Sequence, residues 1–196
     1  VKLFLIRHGA TEWSATGQHT GITDLPLTSE GIAQLEPLAR GLHRSIGGQI
    51  DSAIVFSSPL QRALVSAQTV MGDGHRVCVD SNLVEFNYGD YEGVTTEEIW
   101  RQRPGWDMWR DGCPNGEDAE GAGRRADAFL SQLDDAHELV LVFAHAHIIR
   151  IIAARALGLE AQGARIFTLD TATVSVLEDL RDKKVIKRWN VDPQVW

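Results

Sequence analysis

The chain is short of the features that several common function classes require. Only two of its 196 residues are cysteine, Cys78 and Cys113, which argues against a disulfide framework and for a reducing, cytoplasmic setting. Neither cysteine begins a Cys-x5-Arg run, so a cysteine-based phosphatase loop is excluded. No Gly-x4-Gly-Lys-Ser/Thr run is present, which removes the usual nucleoside-triphosphate loop. Apolar runs are short. None approaches the roughly 20 residues of a membrane span, and the first is broken by Arg7 and His8, too early for a signal peptide. Basic residues are outnumbered, 19 against 27 acidic for a net charge of -8, so nucleic acid is not an expected partner. An anionic small molecule remains compatible with that balance where arginines gather locally.

What is present is an alternation of apolar strands and amphipathic helices, without repeats or a linker that would divide the chain. Leu3 to Ile6 reads as a buried strand. Gly17 to Leu27 is a loop rich in Gly, Thr, Asp and Pro, after which Thr28 caps a helix through about His43. Ala53 to Phe56 is a second strand, and Ser58 and Pro59 open the next helix as N-cap serine and first-turn proline. Val77 to Val79 is a short strand. Residues 87–118 are irregular, with a helix over Thr96 to Arg103. Glu117 to His137 reads as helix and Leu139 to Phe143 as strand. A helix from about His147 to Leu157 stops at Gly158. Ile166 to Leu169, Val174 to Leu180 and Val185 to Trp189 complete the strands, the last two joined by a hairpin at Arg181-Asp182-Lys183. The alternation predicts one α/β domain over 1–196, a three-layer α/β/α sandwich with a mostly parallel sheet and an antiparallel edge.

Three of the strand exits carry polar groups. Arg7 and His8 follow the first, Ser57 and Ser58 lead from the second into a helix with Arg62 in its first turn, and His145 follows the strand at Leu139. If these strands are parallel, all the groups share one carboxyl edge, where open α/β sheets bind ligands. Helix N-termini at that edge add backbone N–H groups and partial positive charge. Two arginines and two histidines there make a cradle for a phosphate dianion.

Arg7-His8-Gly9-x-Thr11, the loop Thr20-Gly21-x-Thr23-Asp24-x-Pro26-Leu27-Thr28 and Ser58-Pro59-x-x-Arg62-Ala63 resemble the histidine phosphatase (phosphoglycerate mutase-like) superfamily. Glu85, in Glu-Phe-Asn-Tyr-Gly-Asp-Tyr-Glu-Gly, and His145, in Phe-Ala-His-Ala-His, complete the pattern in order. Thr11-Glu12-Trp13-Ser14, Tyr88-Gly89-Asp90-Tyr91-Glu92-Gly93 and Trp109-Arg110-Asp111-Gly112-Cys113 resemble its sedoheptulose-1,7-bisphosphatase branch. The resemblance implies a metal-independent, cofactor-free phosphatase acting on a small phosphorylated metabolite, a sugar phosphate or bisphosphate. His8 would form a phosphohistidine, and Arg7, Arg62 and His145 would hold the phosphoryl oxygens. Glu85 would protonate the leaving oxygen, which predicts a raised pKa. Substrate contacts are expected from Ser14, Thr20, Gly21, Tyr88, Ala146 and His147, with Arg110 on a second phosphate, and residues 87–118 would serve as a lid.

Other readings stand beside these. A phosphoglycerate mutase needs a carboxylate grip, and the lid offers only Arg101, Arg103 and Arg110, without an adjacent arginine pair. A silent phosphate-binding or interaction protein would usually have lost one of His8, Arg62, Glu85 or His145. His147 serves the chemistry or merely caps a helix, and Trp100, Trp106 and Trp109 line a pocket or fill a small core. Arg124 and Arg125 read as a solvated helix face. No membrane partner is expected, and association into a homo-oligomer is left open.

Overall fold

A computed structural model describes residues 1–133, 137–181 and 183–195. In chain order its elements are β1 (Lys2–Arg7), α1 (Glu12–Thr16), α2 (Ser29–Ala33), α3 (Leu35–Ile46), β2 (Ile54–Ser57), α4 (Gln61–Met71) and β3 (Val77–Val79). They continue with α5 (Thr96–Gln102), α6 (Met108–Asp111), α7 (Ala119–Leu130), β4 (Leu139–Ala144), α8 (Ala146–Ala156), β5 (Val174–Leu180) and β6 (Lys183–Val191). The six strands form one sheet in the order β3-β2-β4-β1-β5-β6. Pairing is parallel through β3, β2, β4 and β1, and antiparallel between β1 and β5 and between β5 and β6. The α/β sandwich and its antiparallel edge are as the alternation of elements predicts.

The central strands are apolar on both faces because both faces are covered. Leu3 and Leu5 of β1, with Val140 and Val142 of β4, pack into a core shared with Ala122, Phe129, Ile149 and Ile152 of α7 and α8. Phe4, Ile6, Leu141 and Phe143 point the other way, into a core with Leu38 and Leu42 of α3 and Val70 of α4. Each such side chain contributes on the order of 2 kcal/mol by leaving water.

Register places the site. Arg7 is opposite Ala144 and Ser57 is opposite Phe143, so β1, β2 and β4 end together. His8, Ser58 and His145 are the next residue of each. Backbone hydrogen bonds from His8 to Ala144 and from Ser58 to Phe143 extend the pairing one step past the strands. Gly9 is required there, because a Cβ on it would lie 2.3 Å from the carbonyl oxygen of Gly31 in α2.

Several boundaries differ from those expected. Thr28 does cap a helix, its Oγ1 accepting from Gly31 N, but the helix breaks at Gln34 into α2 and α3. Pro37 has no N–H to give the Ala33 carbonyl, and the break puts it in a first turn, where none is needed. The Gln34 side chain instead accepts from Ala10 N. Ser58 and Pro59 form a turn before α4, which begins at Gln61 and is capped from a distance by Asp24, whose carboxylate accepts from Gln61 N at 2.7 Å. The helix expected over 117–137 ends at Leu130; residues 134–136 within that range lie outside the described residues, as does Asp182 of the expected hairpin. Ile166 to Leu169 is not a strand. A 3-10 turn over Ala161–Ile166 precedes it, and β5 and β6 already fill that side of the sheet, so its carbonyls serve side chains. Arg7 donates to Leu169 O and Trp189 Nε1 to Thr168 O. The short helix α1, capped by Thr11, is not anticipated by the sequence pattern.

Candidate active site

A cavity of about 340 Å³ opens at the shared strand ends, and Arg7, His8, Glu85, Tyr88 and His147 line it. Ser14, Thr20 and Ala146 also face it. His8 is 4 % exposed. Its Nδ1 is 2.7 Å from the Gly9 carbonyl, which can only accept, so Nδ1 carries the proton and Nε2 keeps its lone pair. Burial, then the charges of Arg7 and Arg62, lower its pKa to about 3. The ring is neutral at pH 7 and can act as a nucleophile.

His145 and Arg62 lie behind His8 and are fully buried. The two histidine rings are 5.1 Å apart. Arg62 Nε donates to His145 Nδ1 at 3.1 Å, so the opposite nitrogen, 2.8 Å from Ser58 Oγ, holds the His145 proton. The rest of the Arg62 guanidinium ties down the 20–24 loop, donating to the carbonyls of Thr20, Gly21 and Thr23. Glu92 holds the same loop from its N–H side, accepting from Gly21 N and Thr23 N. Gly21 therefore serves as backbone between these two clamps. Arg7 faces the cavity with its Nε buried and without a partner, an orphan donor of the kind an anion satisfies.

Glu85 departs from its expected state. Its carboxylate sits at the N-terminus of α8 and accepts from His147 N and Ile148 N, and from its neighbour Phe86 N, all within 3.0 Å. Burial works to raise its pKa, but the side-chain hydrogen bond and charge of His147, then His145 and the backbone N–H, outweigh burial. The group lies well below the usual carboxylate range, so in the free pocket it is ionised. His147 also meets the Tyr88 hydroxyl at Nδ1, and burial lowers its own pKa.

Two arginines stand differently from their sequence reading. Arg110 is outside the cavity, 65 % exposed, with its guanidinium held by Asp111 and the Gly105 carbonyl. Arg125 is not a solvated residue. It pairs with Glu117 through two bonds of 2.7 and 2.8 Å and donates to the carbonyls of Asn82, Val84 and Glu85, pinning the turn that carries Glu85. Arg124 is exposed as expected. Arg150, which the sequence reading passed over, lines the cavity with its guanidinium 4.6 Å from the ring of Trp109. Its signal was available: a lone charge inside the apolar run Ile148–Ile152 needs a partner or a purpose. Among the described residues, no group of three or more His, Cys, Asp or Glu side chains is placed to hold a metal ion, and no helix is long and apolar enough to cross a membrane.

Comparison with known proteins identifies the family. Residues 3–192 match the histidine phosphatase superfamily (branch 1). The sedoheptulose 1,7-bisphosphatase of Saccharomyces cerevisiae is 36% identical over 188 residues, covering 82% of this chain and 69% of its own. A 2,3-bisphosphoglycerate-dependent phosphoglycerate mutase from Bartonella tribocorum is 33% identical, covering 87% of each chain. A solved structure of an open reading frame product from Mycobacterium tuberculosis superimposes with a TM-score of 0.90 at 31% identity, covering 98% of both chains. The chain is an enzyme of the histidine phosphatase superfamily (branch 1).

Proposed function

We propose that the protein hydrolyses a phosphomonoester of a small metabolite, a sugar phosphate or bisphosphate, through a phosphohistidine on His8. The observation that carries this reading is the neutral His8, with Nδ1–H held by Gly9 O and Nε2 left to attack beside the cations of Arg7 and Arg62. Nε2 forms a bond to phosphorus as the ester P–O bond breaks, and the leaving oxygen takes a proton from Glu85. Water then attacks phosphorus, the P–N bond breaks, Glu85 takes the water's proton, and inorganic phosphate departs. Arg7 meets one phosphoryl oxygen with its orphan Nε. Arg62 exchanges a loop carbonyl for another, its bond to Thr20 O being long at 3.3 Å. His145 lies close enough behind His8 to share the developing charge.

The low pKa of the empty Glu85 fits this sequence when the proton arrives with the substrate. A phosphate monoester has its second pKa near about 6, and a dianion beside a desolvated carboxylate raises that carboxylate's pKa. The monoanionic ester thus hands its proton to Glu85 on binding. Arg150, not Arg110, is the cation placed for a second anionic group. Residues 87–118 act as the lid of a single domain, and the two free cysteines suit the cytoplasm.

Rapid acid or base quenching of a reaction with radiolabelled ester tests the nucleophile. His8→Ala should abolish turnover together with an acid-labile phosphoenzyme, and retained phosphatase activity would overturn the assignment. Phosphate release from sugar bisphosphates, monophosphates and phosphoglycerates, with EDTA present, tests the substrate. Phosphoryl transfer between phosphoglycerates in place of release would favour the mutase reading.

A further inference from the structure

Beside the phosphate pocket lies a second cavity of about 230 Å³, which shares His19, Thr96 and His147 with it and extends between Trp100, Trp106 and Trp109. Its walls are rings. Trp100 Nε1 donates to Trp106 O and Trp106 Nε1 to Gly112 O, so these two indoles have spent their donors on the backbone and offer the cavity ring surface. His19 is stacked on Tyr88 at 4.6 Å and meets Trp106 edge-on at 5.8 Å. Burial lowers its pKa to about 4, leaving it uncharged at pH 7.

The charge of this cavity differs from that of its neighbour. Arginines line the phosphate pocket, whereas the one charged side chain lining the annex is Asp107, whose Oδ1 caps α6 by accepting from Trp109 N, and Arg150 reaches the annex only against the ring of Trp109. A second phosphate is better served on the Arg150 side of the main cavity. A hydroxylated chain would find few open donors, since Thr96 Oγ1 already faces His19 Nε2. Trp100 is 48 % exposed, apolar surface at the edge of a cleft that a ligand would cover.

We infer that this annex is an accessory leaving-group subsite, separate from the Arg150 side that suits a second anionic group, which admits an uncharged, flat, apolar ring carried by the alcohol of the phosphomonoester. The inference rests on the phosphatase reading above for its chemistry, but not for the binding it predicts. The ring covers the half-exposed face of Trp100 while the phosphoryl group lies against His8, since the Trp109 ring is already met by Arg150 and His147. Aromatic pairs at such spacings favour offset or edge-on contact, and covering part of a ring is worth about tenfold in affinity.

Ethyl phosphate and 2-phenylethyl phosphate test this, because both release a primary alcohol and only one brings a ring. Their kcat/KM values are compared with calorimetric Kd values for the two corresponding phosphonates, and glucose 6-phosphate is run in parallel. The phenylethyl compounds should lead by about tenfold in both measurements. Trp100→Ala should bring both ratios toward one, and Trp100→Phe should keep most of the preference. Equal values for the wild-type protein overturn the subsite. A gain for glucose 6-phosphate that phenylethyl phosphate does not share overturns the apolar ring in favour of a hydroxylated one. Ring-dependent phosphonate binding without hydrolysis of any ester keeps the subsite and discards the phosphatase reading.

Discussion

One wall of the pocket is made of strand ends, whereas the facing side, where Tyr88 and Thr96 join residues 11–20 and the annex opens, draws on an irregular segment, and the two hold their atoms differently. His8, Ser58 and His145 follow three strands in fixed parallel register and are fully or almost fully buried. The irregular segment, from residue 87 to 118, contains helices of only seven and four residues. Its turns use left-handed backbone at Gly89, Gly93, Gly105, Gly112 and Asn115, and a few side-chain bonds such as those of Trp100 and Trp106 fix it. A sheet edge positions atoms through many cooperative contacts, whereas a segment of this kind is adjustable one residue at a time. Chemistry should therefore reside in the first wall and substrate choice in the second. Substitutions on each side can break that division or sharpen it.

After loss of the nucleophile itself, the largest effect is expected at Glu85, which belongs with the rigid wall through its bonds to the start of α8. Glu85→Gln keeps one acceptor oxygen, enough for Phe86 N and Ile148 N, loses the one that serves His147 N, and cannot deliver a proton. Its kcat should fall by about 10²–10⁴ with alkyl phosphates and far less with a nitrophenyl ester, whose leaving group needs no acid. Equal losses for both would remove the acid role. The pH profile of the unmodified enzyme follows from the same groups. His8 loses its nucleophilic lone pair only near pH 3, so kcat/KM should hold down to about that value. On the proposed mechanism the proton comes with the ester, because Glu85 is held well below the usual carboxylate range, so kcat/KM should decline above the ester's second pKa of about 6. Esters of different second pKa should move that limb in step. A limb that stays in place would assign it to a protein group instead.

Arg125 probes how far the rigid wall extends. It lies on α7, away from the cavity, yet it holds three carbonyls of the 82–85 turn. Arg125→Ala should lower stability by about 1–3 kcal/mol, since Glu117 and those carbonyls lose a charged partner, and should lower kcat roughly tenfold by loosening Glu85. Thermal unfolding and kcat measured together decide between two roles. A lower Tm with unchanged kcat would make Arg125 a structural tie alone.

Arg125 also shows where a sequence stops being legible. The alternation of strands and helices and the groups at the strand ends could be read because each apolar run ends abruptly in a polar residue; the order of the strands in the sheet could not. Arg7, His8 and His145 needed no knowledge of packing beyond that. Arg125 follows Arg124 on an amphipathic helix and looks like solvated charge; its partners, Glu117 and a turn some forty residues away, are set by how α7 lies against that turn. Ile166 to Leu169 has a strand's composition but no vacant place in the sheet, which only the assembled order shows. The break at Gln34 had its signal in Pro37, which needs the preceding turn interrupted, yet the helix expected from Thr28 runs past it to about His43. The charge state of Glu85 had no such signal, because it depends on the backbone N–H groups of α8, sixty residues on.

The smallest effects test the border of the adjustable wall, where two arginines make opposite predictions. Arg110, expected from the sequence on a second phosphate, lies in residues 87–118, and Arg150, which the sequence reading passed over, lies on α8. Asp111 and the Gly105 carbonyl already occupy the Arg110 guanidinium, and it points to solvent. Arg150 faces the cavity, supported by the Trp109 ring and the carbonyl of Ala164. Arg150→Ala should raise KM for bisphosphates about fivefold to tenfold over monophosphates, the size of one ordinary net hydrogen bond. Arg110→Ala should leave both within about twofold of the parent. The reverse result would mean that the lid swings Arg110 inward once substrate is bound. Specificity would then belong to a closed arrangement of residues 87–118, and the division between a chemical wall and a selective one would hold with a different arginine at its edge.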